Sequence, residues 1–248
     1  MQIVEAPFAR GTCPVRLFGP LGDSAVPVVL FFTDAFGPRP ALEEMAERLV
    51  SAGYRVAMPY NFYEFADEPS LSMQSILTGG DDRMRMGRML GGLTQAAVDD
   101  DVRSLLALCD EQFGAEAPLG ATGYCMGGRY ALTAATLSPR VRFAASYHGA
   151  TLAPDSPDGI HTRLGQAEAR IYIGIAGIDP TFDAAEEGRL AEALRAADLD
   201  HMLETYAGAN HGFAMPDTPM HHVAAGQRHW TRLWEGLGES VGADRVQP

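Results

Sequence analysis

G-Y-C-M-G-G, residues 123–128, sets Cys125 between two glycines, Gly123 and Gly127, each two positions away. Before it runs P-L-G-A-T-G (Pro118 to Gly123), small and apolar, which reads as a tightly packed strand. After it, G-G-R-Y-A-L-T-A-A-T-L reads as a helix. A chain that turns sharply from strand to helix forces the turning residue into a strained conformation. Glycine on each side removes the Cβ atoms that would clash there. The new helix then aims its free N–H groups and positive dipole end at the sulfur, which favours thiolate. The plainer reading is a small buried thiol that only packs, and the rest of the chain has to decide between the two.

Outward from this turn, short apolar runs alternate with helical patterns. V-P-V-V-L-F-F-T (Val26 to Thr33) is almost continuously apolar, as a strand buried on both faces is. D-A-F-G-P-R-P follows as a loop, then Leu42, Met45, Ala46, Leu49 and Val50 recur at helical spacing, with Pro40 suited to the first turn and Gly53 to the end. R-V-A-M-P (Arg55 to Pro59) predicts a second strand. Residues Asn61 to Gly92 have weak periodicity and predict a loop excursion with a little helix. Val102, Leu105, Leu106, Cys109 and Phe113 share one helical face, on which Cys109 reads as core. F-A-A-S-Y-H (143–148) and I-Y-I-G-I-A (171–176) predict strands, and Leu190 to Ala197 a helix. M-L-E-T-Y (202–206) suits a strand nearer an edge, and Val223 to Trp234 a closing helix. The polar tail from Gly238 is expected to fray. Strand and helix in repeated alternation predict an α/β fold with a mainly parallel sheet and helices on both faces. With no repeat and no linker, residues 1–248 read as a single domain, its core at roughly 26–236.

The 248 residues carry a formal net charge of -13, a surface that repels nucleic acid and anionic membranes, so neither is an expected partner. Three cysteines, odd in number and without C-x-x-C spacing, argue against a disulfide scaffold or a zinc ribbon and fit a reducing compartment. M-Q-I-V-E-A-P-F-A-R has neither a basic start nor a long apolar stretch, and no run approaches a membrane span, so a cytoplasmic protein is expected.

In a sheet of this kind the site lies beyond the carboxyl ends of the strands. Cys125 meets that demand. So does Asp179, in A-G-I-D-P just past the 171–176 run, with Asp183 a weaker candidate for the same role. His211, in G-A-N-H-G-F after the 202–206 run, meets it too. Each alone has a bland reading, a turn aspartate or a solvated histidine. Together they fall in the order nucleophile, acid, histidine, which is that of α/β-hydrolases.

G-Y-C-M-G-G, A-G-I-D and G-A-N-H-G-F, with V-V-L-F-F-T-D-A-F-G and G-Y-R-V-A-M-P, resemble the dienelactone hydrolase family over roughly Val26 to Trp234. The resemblance implies a single-domain α/β-hydrolase with a Cys-His-Asp triad and no metal or organic cofactor. It implies cleavage of an ester or enol-lactone, the family's best-known reaction being hydrolysis of dienelactone to maleylacetate in chloroaromatic breakdown. Position by position, it makes Cys125 the nucleophile, Asp179 the acid and His211 the base. It makes Asp34 the acid that modulates the resting cysteine, one methylene shorter than the usual glutamate. The amides of Ala35 and Met126 become the oxyanion hole. Where dienelactone-cleaving members carry a carboxylate-binding arginine shortly after the histidine, this chain has Met215, which cannot pair with a carboxylate. Arg83, Arg85 and Arg88 are candidates for a second family arginine. Phe36, Tyr63 and Met215 suit either an apolar acyl pocket or plain core packing.

Three rivals remain at this level. One is a general carboxylesterase or thioesterase acting on neutral esters, which Met215 favours. Another is a non-catalytic small-molecule binding protein on the same fold. The third is a metal enzyme built on His148, His161, His221 and His222, against which stands the lack of H-E-x-x-H or comparable spacing. The expected partner is a small ester or lactone, and the expected state a monomer or small homo-oligomer.

Overall fold

The computed structural model describes residues 1–22, 25–68 and 70–242. Val28, Leu30 and Phe32 of β3 (Val28–Phe32) point to one face of the central sheet, and Val29 and Phe31 to the other; all five are buried. Around β3 the order of the eight strands is β1-β2-β4-β3-β5-β6-β7-β8. These are β1 (Gln2–Phe8), β2 (Gly11–Phe18), β4 (Arg55–Pro59), β5 (Leu119–Tyr124), β6 (Val141–Tyr147), β7 (Arg170–Ile178) and β8 (His201–Asn210). From β4 to β8 neighbours run parallel, while β1 and β2 form an antiparallel hairpin that joins β4 antiparallel.

On one face α1 (Pro40–Ser51) and α7 (Val223–Ser240) bury Leu42, Leu49, Leu233 and Leu237 against Val29 and Phe31. On the other, α4 (Gln95–Phe113), α5 (Met126–Leu137) and α6 (Ala184–Ala196) bury Val102, Leu105, Tyr130, Leu190 and Leu194 with Leu30 and Phe32. Leu42 and Leu49, seven residues apart, are two turns apart on one stripe, the spacing an amphipathic helix needs. In the seam between α1 and α7, Trp230 stacks on Trp234 with centroids 5.2 Å apart, and Arg48 lies 4.3 Å over Trp230.

The excursion at Asn61 to Gly92 holds two short helices, α2 (Met73–Leu77) and α3 (Asp81–Gly91), of which Met89 alone is buried. The closing helix runs on to Ser240, past the expected fraying point at Gly238; residues 243–248 of that tail lie outside the described residues. The β1–β2 hairpin extends the fold beyond the expected core. Its alternation is weak because β1 is an edge strand, half exposed and carrying Pro7, which edge strands tolerate. Arg10, in the hairpin turn, pins it to the body through Asp101, Glu64 and the Ala97 carbonyl. No helix among the described residues is long and apolar enough to cross a membrane.

The chain leaves β3 toward β4 on one side and returns to β5 on the other. The strand order therefore reverses between β3 and β5, and a crevice opens at their carboxyl ends. The loop after β3 carries Asp34 and Ala35; the turn after β5 carries Cys125.

Candidate active site

Cys125 stands between β5 and α5 with φ 55° and ψ -123°, a left-handed conformation that a non-glycine residue adopts only under constraint. The constraint is visible in its neighbours. A Cβ on Gly123 would sit 1.9 Å from the Gly127 carbonyl oxygen, and one on Gly127 would sit 2.5 Å from those of Phe32 and Thr33. Only glycine lets α5 start this close to β3 and β5. No side chain caps α5; in its first turn Gly128 N–H donates to the Cys125 carbonyl at 3.0 Å. Ala35 and Met126 are both buried, and neither amide has a hydrogen-bond partner among the described residues. One of these amides follows the thiol residue directly, and the other lies on the loop after β3.

β7 and β8 end together, with Ile178 paired to Asn210, and that register brings the residues just beyond them side by side. Asp179 Oδ2 lies 2.7 Å from His211 Nδ1. Asp179 Oδ1 accepts from the Thr181 hydroxyl at 2.7 Å and the Thr181 amide at 2.9 Å, an Asx turn that holds the carboxylate in place. With Nδ1 committed to Asp179, His211 has Nε2 left for Cys125. Burial opposes a charged ring here, but the bonds to Asp179 and Cys125 outweigh it and push His211 up to about 10. Burial raises the Asp179 carboxyl, yet His211 and Thr181 together hold it below its ordinary range. Asp183 is otherwise engaged: it caps α6, accepting from the Glu186 amide at 2.7 Å.

The other two cysteines are of a different kind. Cys13 and Cys109 are buried, and burial pushes both thiols up to about 12. Cys125 is the partly exposed one.

Asp34 is buried, with both carboxylate oxygens held by Arg39 at 2.7 and 2.9 Å and Oδ1 also accepting from the Phe36 amide at 3.0 Å. The side chain expected to meet the resting cysteine is thus committed to Arg39. Arg39 in turn bonds both oxygens of Asp217, at 2.6 and 3.1 Å, on the loop that follows His211. Sequence reasoning missed Arg39, Asp217 and Thr181. The D-x-T spacing of Asp179 and Thr181 was the signal available for the Asx turn; a pair 178 residues apart left none.

The expected substrate-binding residues differ in burial and in what they are already bonded to. Tyr63 is buried in the core, its hydroxyl 2.8 Å from Asp101 and its ring against Phe8. Met215 is buried in the opposite core, on the α1–α7 side. Both are packing residues. Phe36 is half-buried beside Arg39, on the loop after β3. Arg83 and Arg88 are exposed on α3, and Arg85 is paired with Glu68 and Asp82. Of the four histidines considered as metal ligands, His222 caps α7 and His148 lies buried beside Cys125. Among the described residues no group of three or more His, Cys, Asp or Glu side chains could hold a metal ion.

A carboxymethylenebutenolidase of Rhodococcus opacus is 26% identical over 232 residues, covering 91% of this chain and 86% of its own. A provisionally named carboxymethylenebutenolidase of Salmonella typhi is 25% identical over 232 residues, covering 89% and 80%. The crystal structure of a provisionally named dienelactone hydrolase from Klebsiella pneumoniae superposes with a TM-score of 0.79 at 18% identity, covering 96% of this chain and 98% of that one; it has the same α/β-hydrolase fold. The dienelactone hydrolase family profile matches residues 14–241, from the second strand to the end of the last helix. By that match, the chain belongs to the dienelactone hydrolase family.

Proposed function

We propose that the protein hydrolyses carboxylic esters and enol-lactones by acyl transfer to Cys125. The observation that carries this reading is the Asp179–His211 pair, 2.7 Å apart, facing a thiol held at a left-handed strand–helix turn. Its raised basicity suits His211 to hold the thiol's proton at the moment of attack. The thiolate attacks the carbonyl carbon, and the carbonyl electron pair moves to the oxygen, which the Ala35 and Met126 amides receive. Collapse expels the leaving oxygen, which takes the proton from His211 Nε2, and a thioester remains. Neutral His211 then removes a proton from water as its oxygen attacks the thioester. The carboxylic acid departs, and thiolate and imidazolium are restored. Asp179 holds the ring and its tautomer throughout.

The relatives named for carboxymethylenebutenolidase activity support a lactone substrate. A second reading, a preference for uncharged esters, is favoured by one observation. Met215 is buried and Arg85 is already paired with two carboxylates, so neither of these two positions offers a free guanidinium.

Hydrolysis of p-nitrophenyl acetate and of dienelactone by the reduced protein in EDTA, against Cys125→Ala, tests both. The variant is expected to lose at least about a thousandfold in kcat/KM on whichever ester wild type cleaves. Full activity in Cys125→Ala would remove the proposed nucleophile. Cleavage of the aryl ester alone would move the substrate class to neutral esters.

A further inference from the structure

His148 is completely buried immediately after β6, in a left-handed conformation with φ 40°. Its Nδ1 accepts the Cys125 amide N–H at 3.2 Å, an N–H shared with the Tyr147 carbonyl at 3.1 Å. An acceptor at Nδ1 requires the neutral ring with its proton on Nε2. The same ring meets His211 edge to face, centroids 5.2 Å apart, and Phe213 at 5.1 Å. Nε2 has no hydrogen-bond partner among the described residues. A phenylalanine would fill this space without an orphaned donor, so stability does not account for a histidine here. Strained backbone and an unsatisfied polar group held together at one point are marks of a residue kept for function.

We infer that His148 is a positioning residue for the acyl-transfer site: its ring ties the backbone of the nucleophile Cys125 to the ring plane of the base His211. The inference rests on the triad reading above. Asp179 fixes His211 through Nδ1 but leaves the ring free to turn about that bond. His148 and Phe213 close off the rotation, so that Nε2 stays turned toward the sulfur. The role needs an uncharged ring, because a proton on Nδ1 would set a donor against the Cys125 N–H. Burial, with His211 and His229 nearby, pushes His148 well below the ordinary histidine range and keeps it neutral.

His148→Phe keeps a ring and removes the acceptor. His148→Asn restores an acceptor at the place of Nδ1, and asparagine tolerates a left-handed φ. Two readouts apply. One is kcat and KM for p-nitrophenyl acetate. The other is the alkylation rate at neutral pH with iodoacetamide, which needs no substrate and reports Cys125 because Cys13 and Cys109 are buried. His148→Phe is expected to lower kcat about 10- to 100-fold with KM little changed, and to slow alkylation in parallel. His148→Asn is expected to recover most of both losses. Should the phenylalanine variant fail to fold, His148→Gly, which suits the backbone, takes its place with the same expectation. The inference is overturned if the folded loss variant matches wild type in both assays, or if His148→Asn falls as far as His148→Phe. Failure of the triad reading shows separately, as undiminished esterase activity in Cys125→Ala.

Discussion

At the residue scale, the charge on His211 rests on its bonds to Asp179 and Cys125, and their effect can be followed with pH. His211 is raised from 6.5 to about 10. A base raised in the folded state contributes stability that is full below its ordinary value near 6.5, declines above it, and is gone once pH passes about 10. Denaturant melts of wild type and Asp179→Asn are therefore expected to differ most at mildly acid to neutral pH and to converge toward pH 10. The same substitution is expected to lower kcat by about 10²- to 10⁴-fold and to bring the alkaline limb of the rate profile down; an unmoved limb would detach Asp179 from the base. Gly127→Ala tests the turn itself. Its new Cβ meets the Phe32 and Thr33 carbonyls at 2.5 Å, and a loss of about 3 kcal/mol or more, or no soluble protein, is expected in thermal melts. The residues of the proposed triad were legible because each comes soon after a segment that reads as a strand. His148 also follows one, but its bond to the Cys125 backbone is made across neighbouring strands and has no local pattern.

At the scale of elements, Arg39 joins three pieces of chain. It sits at the start of α1, holds Asp34 on the loop after β3 and reaches Asp217 on the loop after His211. The two loops that must keep a fixed spacing across the crevice share one guanidinium. Arg39→Met would leave the buried Asp34 carboxylate uncompensated, at an expected cost of about 3–5 kcal/mol in chemical denaturation. Adding Asp34→Asn to it is expected to return part of that stability but not the activity, since the clip between the loops is still gone. If the double variant is as unstable as the single, the uncompensated charge is not the cause. Strands β3 to β7 were readable from the sequence because burial on both faces imposes near-continuous apolar runs, and β8, at an edge, was readable from the alternation of M-L-E-T-Y. The β1–β2 hairpin was not, because an edge strand facing solvent carries little of that pattern.

Across the whole molecule, charge sets the acid limit. On β8, Glu204 is drawn down to about 2 by its bond to Arg232, against burial, with Tyr172 and Arg228 adding to the pull. A carboxylate lowered in this way contributes stability that is full above 4.5 and is lost as pH falls to about 2. Acid titration of the circular dichroism signal should show Glu204→Gln unfolding at higher pH than wild type, with the gap closing toward pH 2. Equal midpoints would assign the acid limit to other groups.

The seam between α1 and α7 has an optical meaning of its own. Trp230 and Trp234 are the chain's two tryptophans, and both lie there, stacked together under Arg48. Neither belongs to the proposed triad. Intrinsic emission excited at the red edge is therefore a dye-free gauge of whether the last helix is docked. A spectral change without loss of turnover marks α7 loosening, and turnover lost under an unchanged spectrum marks damage confined to the crevice.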